Sequence, residues 1–250
     1  MKISAVFTGL FSLLIFMCSP VWGQSSLTGF TESKLQAPEF YGPEFYEGEY
    51  YGDVIEFDIL KNGRKMGEHI IKFDRKNNRI KSDINIKFKV KMGFITLYRY
   101  EHKSSEIYKG NQLVALDAKT KDNGTYYEVK ASLSGEVMHV ECLDGIYKAP
   151  SDISAATYWH KNMLSKQKAL NTQSGQLETI EAIWKESEYV TVAGDRVYAD
   201  RYLVQVPEQD IHIWYHNRTG EMLDLKLETK GVEIEYERIT PVNVMTASIE

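Results

Sequence analysis

The chain has 250 residues, 43% of them hydrophobic and 26% charged, with a formal net charge of −5. That composition excludes collagen-like, mucin-like and wholly disordered chains, and the acidic balance argues against a dedicated nucleic-acid binder, which needs a basic surplus to neutralise phosphate. Sixteen Tyr, ten Phe and four Trp supply a core, and six Pro impose few breaks.

Met1-Lys2 opens with a positive charge, and residues 3–18 form an apolar run too short for a membrane span, with no basic stop-transfer cluster after it. Ser19-Pro20 breaks any helix, and Val21-Trp22-Gly23 places small residues at the −3 and −1 positions of a cleavage site. Residues 1–23 therefore predict a secretory signal peptide cleaved after Gly23, leaving a mature chain without a transmembrane segment. Met17 before Cys18 is too large for lipoprotein processing. The mature chain then keeps Cys142 alone, so no intramolecular disulfide forms and the core must stabilise the domain. Cys142 reads as a small buried apolar residue, with a reactive thiol as the alternative.

Residues 24–49 read as an N-terminal arm in which Pro38-Glu39-Phe40-Tyr41-Gly42 is echoed by Pro43-Glu44-Phe45-Tyr46-Glu47. The arm either lies over the domain, aromatic side inward, or docks a partner. Residues 50–240 form the β-rich domain and 241–250 a tail. Period-2 alternation dominates from Tyr50. Ile80, Ser82, Ile84, Ile86, Phe88, Val90 and Met92 share one register; the other holds Lys81, Asp83, Asn85, Lys87, Lys89 and Lys91. One buried and one wet face marks antiparallel sheet. Tyr127, Val129, Ala131 and Leu133 repeat the pattern, as do Leu223, Leu225 and Leu227, and then Val232, Ile234 and Tyr236. Turn signals such as Lys61-Asn62-Gly63, Asp122-Asn123-Gly124 and Ser134-Gly135 separate the runs.

The spacing of Ile153, Ala156, Trp159 and Met163, after a cap at Ser151 or Ser154, predicts one amphipathic α-helix near residues 152–165. The fold expected is mainly β: a single antiparallel, strongly curved sheet or incomplete barrel of about twelve strands, the first eight in a continuous meander. The helix plugs or covers it.

No phosphate loop, His-Glu-x-x-His, Cys-x-x-Cys or Gly-x-Ser-x-Gly motif occurs. His212 and His216 sit roughly 13 Å apart along a strand, too far for one ion. No metal, cofactor or catalytic residue is assigned, although a carboxylate pair drawn from different strands would suit hydrolysis of an envelope polymer. Residues 61–91 hold eleven Lys/Arg against three Asp/Glu, and residues 176–250 seven against fifteen. The basic strand is either a solvated face partly neutralised by Glu233, Glu235 and Glu237, or a landing face for anionic head groups or polymers. The aromatic clusters Tyr158-Trp159-His160 and Ile213-Trp214-Tyr215 either pack the core or line a pocket.

Ser151-Asp152 followed by Thr157-Tyr158-Trp159-His160, then Leu170-Asn171-Thr172-Gln173-Ser174-Gly175, then Trp214-Tyr215 before a Gly-containing turn, resembles an uncharacterised family of secreted proteobacterial proteins. The resemblance spans roughly residues 50–240 and implies a periplasmic setting; it brings no catalytic residues. The meander with an inserted helix is similar in outline to the half-barrel of periplasmic lipoprotein carriers. The leading functional expectation is a non-enzymatic periplasmic protein. It binds an acyl chain or other hydrophobic ligand against Tyr158, Trp159, His160, Trp214, Phe88 and Ile86. The alternative is an envelope structural or protein-interaction module with a filled barrel.

Overall fold

The computed structural model describes residues 52–206, 209–229 and 232–242; the predicted signal peptide, the arm and the tail beyond residue 242 lie outside them. The strands are β1 (Val54–Lys61), β2 (Arg64–Lys76), β3 (Arg79–Met92), β4 (Ile95–Lys109), β5 (Gln112–Asp122), β6 (Thr125–Ser134), β7 (Val137–Cys142) and β8 (Gly145–Pro150), then β9 (Ser154–Ala155), β10 (Lys168–Leu170) and β11 (Leu177–Thr179). After them come β12 (Glu181–Val192), β13 (Asp195–Val206), β14 (Gln209–His216), β15 (Met222–Thr229) and β16 (Val232–Arg238).

Thirteen strands form one sheet in the order β12-β13-β14-β15-β16-β1-β2-β3-β4-β5-β6-β7-β8. The first eight strands are the expected meander, and β16 returns to pair antiparallel with β1, Ile59 opposite Tyr236. The sheet does not close, since β12 and β8 are its two edges. Alternation positions the faces. Ile80, Ser82, Ile84, Ile86 and Phe88 are buried while Asp83, Lys87 and Lys89 are exposed. One hydrophobic cluster joins Ile55 and Phe57 of β1, Leu116 of β5 and Ile211 and Ile213 of β14. Strands that far apart in the sheet order share a core only because the sheet curls strongly around it.

Inside the curl runs the segment between the two edges. β9, β10 and β11 form a small sheet of their own, with β9 and β10 parallel. The α-helix expected over residues 152–165 is absent; β9 and a 3₁₀ turn at Lys161–Ser165 stand in its place. The residue pattern carried a helical spacing, but tertiary contacts override it. Ile153, Ser154, Ala155, Trp159, His160, Lys161 and Met163 are all buried, a surround rather than a stripe. Ser154 does not cap a helix: its hydroxyl bonds that of Tyr108 at 3.0 Å. Some backbone groups a helix would have paired internally go to β10, as the Ala156 N–H does to the Leu170 carbonyl at 3.0 Å, and others to side chains of the sheet. The Ala155 N–H donates to Tyr108 Oη (3.1 Å), and the Tyr158 carbonyl accepts from Tyr215 Oη (2.6 Å). Tyr158 itself takes a left-handed φ of 63°. The strand total exceeds the expected twelve because this segment contributes β9 to β11 and the sheet itself has thirteen. No helix among the described residues is long and apolar enough to cross a membrane.

Candidate functional site

Between the inner face of the sheet and the enclosed segment lies a cavity of about 70 Å³. Its apolar lining is Ile84 and Ile86 of β3, Ile211 of β14, and Leu225 and Leu227 of β15. Among them stand polar groups: His69 of β2, Tyr100 and His102 of β4 and Tyr236 of β16 from the sheet, and Thr157, Tyr158, Asn171, Thr172 and Gln173 from the segment. Strand register brings these groups together. His69 pairs with Ile86, and Ile86 with His102, so the three side chains share the inner face of adjacent strands.

The segment's contribution follows from local turn chemistry. Asn171 Oδ1 accepts from the backbone N–H groups of Gln173 (2.8 Å) and Ser174 (2.9 Å), an Asx turn, and Gly175 completes it at φ 73°. A Cβ at Gly175 would stand 2.3 Å from Cys142 Cβ, so only glycine lets this turn seat against β7. The turn presents Gln173, whose Oε1 accepts from Tyr100 Oη at 3.0 Å, and Thr172, whose hydroxyl lies 3.5 Å from His102 Nε2.

The two histidines differ. His102 has Nδ1 2.8 Å from Thr120 Oγ1 and Nε2 facing Thr172, so both ring nitrogens are engaged. His69 is 4% exposed, and among the described residues neither of its ring nitrogens has a hydrogen-bond partner. Its ring lies 5.5 Å from that of Phe57 and edge-on to Tyr236 at 5.7 Å. Burial pushes His69 down to about 3, with nearby His102 adding to the effect, and burial alone pushes His102 down to about 4. Both rings are neutral at neutral pH. His69 therefore offers one N–H donor and one acceptor, both unused.

Two buried networks hold the segment in place. Glu106 on β4 accepts from Trp159 Nε1 (3.0 Å) and Thr157 Oγ1 (3.2 Å), and burial pushes its carboxyl up to about 7. Lys161 Nζ lies 3.3 Å from Asp200 Oδ2 and over the Tyr202 ring, clipping the 3₁₀ turn to β13. Among the described residues no three His, Cys, Asp or Glu side chains gather into a metal-binding group.

Of the residues singled out from the sequence, Tyr158 and Ile86 line the cavity. Phe88 sits one inward position beyond Ile86, stacked 5.1 Å from Tyr100. Trp159 and His160 lie behind the cavity against Tyr108, at 5.5 and 4.5 Å between ring centroids. Trp214 belongs to a separate small cluster with Val192, Val197, Ala199 and Leu223, and its Nε1 donates to Glu188 at 2.8 Å. Strand alternation sends it to the face opposite its neighbour Tyr215. Sequence reasoning missed His69, Tyr100, His102, Thr172, Gln173 and Tyr236. For His69 a signal existed: it shares the inward register of β2 with Ile71 and Phe73. For β4 none did, because Tyr100, His102, Ser104 and Glu106 point inward from a strand whose other register is also polar.

The crystal structure of a beta-barrel-like protein of domain of unknown function DUF1849 from Brucella abortus is similar in fold: TM-score 0.56 at 9% identity, covering 76% of this chain and 97% of that one. No curated protein shows significant sequence similarity to the chain. The model of a domain of unknown function, DUF6134, matches residues 57–239, from the middle of β1 to just past β16, and the chain belongs to that family.

Proposed function

We propose that this is a non-catalytic periplasmic binding protein that takes up a small, uncharged amphipathic molecule in the cavity beside His69. The observation that carries the reading is His69 itself, buried with a donor and an acceptor unpaired and lining a cavity walled by Ile84, Ile86, Leu225 and Leu227. An unpaired buried polar group costs about 1–3 kcal/mol, and a hydroxyl or amide arriving at His69 removes that cost. The volume favours a small ligand over an acyl chain, since pockets for drug-sized ligands run to roughly 300–1,000 Å³. The neutral histidines favour an uncharged one, because an ion in this cavity would lose its hydration without a counter-charge. The periplasmic setting rests on the export signal read in residues 1–23.

Native mass spectrometry of the protein purified from periplasm without detergent, joined to imidazole ¹⁵N spectra during titration with phenol and short-chain alcohols, tests the reading. The expected result is an adduct lost on denaturation, or a saturable shift of the His69 nitrogens. A clean apo mass with unmoved His69 signals would overturn it and leave the filled interior to a purely structural role.

A further inference from the structure

β3 and β4 run past their neighbours. The β2–β3 ladder stops at Gly67 opposite Phe88, and the β4–β5 ladder stops at Tyr100 opposite Asp122. Beyond those points residues 89–92 and 95–99 have strand partners only in each other, apart from the Arg99 carbonyl, which accepts from the Asn123 N–H at 2.8 Å, so the hairpin projects as a two-stranded finger rooted at Arg99. Its tip is apolar and bare: Phe94 is fully exposed, Met92 60% and Ile95 61%. Its shaft is basic, with Lys89, Lys91 and Arg99 and no acidic residue from 89 to 99. Among the described residues Lys89 and Lys91 have no ion-pair partner.

The rest of that end agrees. In an antiparallel meander alternate turns fall at the same end, so the turns at 62–63, 93–94, 123–124 and 143–144 lie together. Tyr126, Leu143 and Ile146, the other large exposed apolar side chains of β1 to β8, sit at those turns. The opposite turns read Lys76-Asn77-Asn78-Arg79, Lys109-Gly110-Asn111-Gln112 and Ser134-Gly135-Glu136, without a large apolar residue. Folding imposes no such asymmetry. A convex apolar tip on a basic stem fits a lipid surface: the side chains enter the head-group boundary while the cations meet phosphate. A soluble polyanion would use the lysines and have no use for Phe94.

We propose that the finger at residues 89–99 docks the protein onto an anionic lipid leaflet, with Met92, Phe94 and Ile95 inserted and Lys89, Lys91 and Arg99 on the head groups. This does not rest on the cavity. Co-sedimentation with phosphatidylethanolamine vesicles containing phosphatidylglycerol, against phosphatidylcholine vesicles, tests it. The wild type is expected to bind the anionic vesicles and release from them at high salt. Phe94→Ser should weaken binding at least about tenfold, and Lys89→Gln with Lys91→Gln about 25-fold, roughly fivefold per charge. Tryptophan emission of Phe94→Trp should move to the blue on anionic vesicles. All these positions are exposed, so circular dichroism is expected to stay unchanged. Wild-type protein that remains in the supernatant overturns the proposal. So does binding that Phe94→Ser leaves intact, which would point to a polyanion site, or a dimer that Phe94→Ser dissociates.

Discussion

Replacing Glu106 with Gln isolates the charge at the centre of the segment's anchorage. Glu106 is fully buried, and burial raises its carboxyl from 4.5 to about 7 despite the hydrogen bonds from Trp159 and Thr157. The folded protein therefore keeps a proton that the unfolded chain releases between those values, and stability falls as pH rises through that window. At about 1.4 kcal/mol per pH unit, ionising Glu106 in place costs on the order of 3 kcal/mol. Gln retains an oxygen to accept from the indole and never ionises. The stability of the variant relative to wild type should thus improve by roughly 3 kcal/mol between pH 4.5 and pH 8, read as the difference between urea unfolding curves. The difference is needed because the wild-type curve is a composite. His69, His102 and His160 are lowered to about 3, 4 and 3, so their contribution is gained as pH rises from those values to 6.5 and opposes that of Glu106. A difference that stays constant from pH 5 to pH 8 would refute the reasoning, since Glu106 would then be ionised throughout.

His69→Leu should raise stability by about 1–3 kcal/mol in urea unfolding, by removing unpaired polar atoms from an apolar setting, while abolishing any adduct seen in native mass spectra. Arg238→Ala leaves Glu221 buried without its cation, 2.9 Å away in the wild type, and should cost about 3–5 kcal/mol in the same assay. Gly67→Ala places a Cβ 2.2 Å from the Lys87 carbonyl oxygen, so β2 must shift away from β3 at the base of the finger. An expected loss of about 1–3 kcal/mol should come with faster hydrogen exchange around residues 67 and 88.

The sheet was legible because its strands carry one wet and one dry register. In β3 Lys87 and Lys89 each stand between two inward apolar residues, and that alternation alone assigns the face and the antiparallel class. The enclosed segment was not. Ile153, Ala156, Trp159 and Met163 mimic a helical stripe, and nothing local reports that the residues between them, such as Ser154, Ala155 and His160, are buried too. Likewise Asn171-Thr172-Gln173 has the composition of a surface loop yet is buried. Its polar groups are satisfied by its own Asx turn and by Tyr100 and His102, partners roughly seventy positions away in sequence. A site assembled from β2, β4, β16 and that loop depends on strand order, which periodicity does not encode.

One compositional feature does foreshadow the interior. A segment without helix or long strands, enclosed by a sheet, has backbone donors and acceptors that its own conformation cannot pair, and each must find a partner. Hydroxyls on long, rigid, mostly apolar side chains are suited to that task, because the ring packs in the core while its tip reaches across. Tyr108 serves Ala155 and Ser154, Tyr147 donates to the Gly175 carbonyl at 2.6 Å, Tyr215 serves Tyr158, and Tyr100 holds Gln173. These four tyrosines come from β4, β8 and β14, so the segment is tied to one edge strand of the sheet and to two of its inner strands. The excess of Tyr over Phe, sixteen against ten, fits this architecture: phenylalanine would fill the same volume and leave the enclosed backbone unpaired.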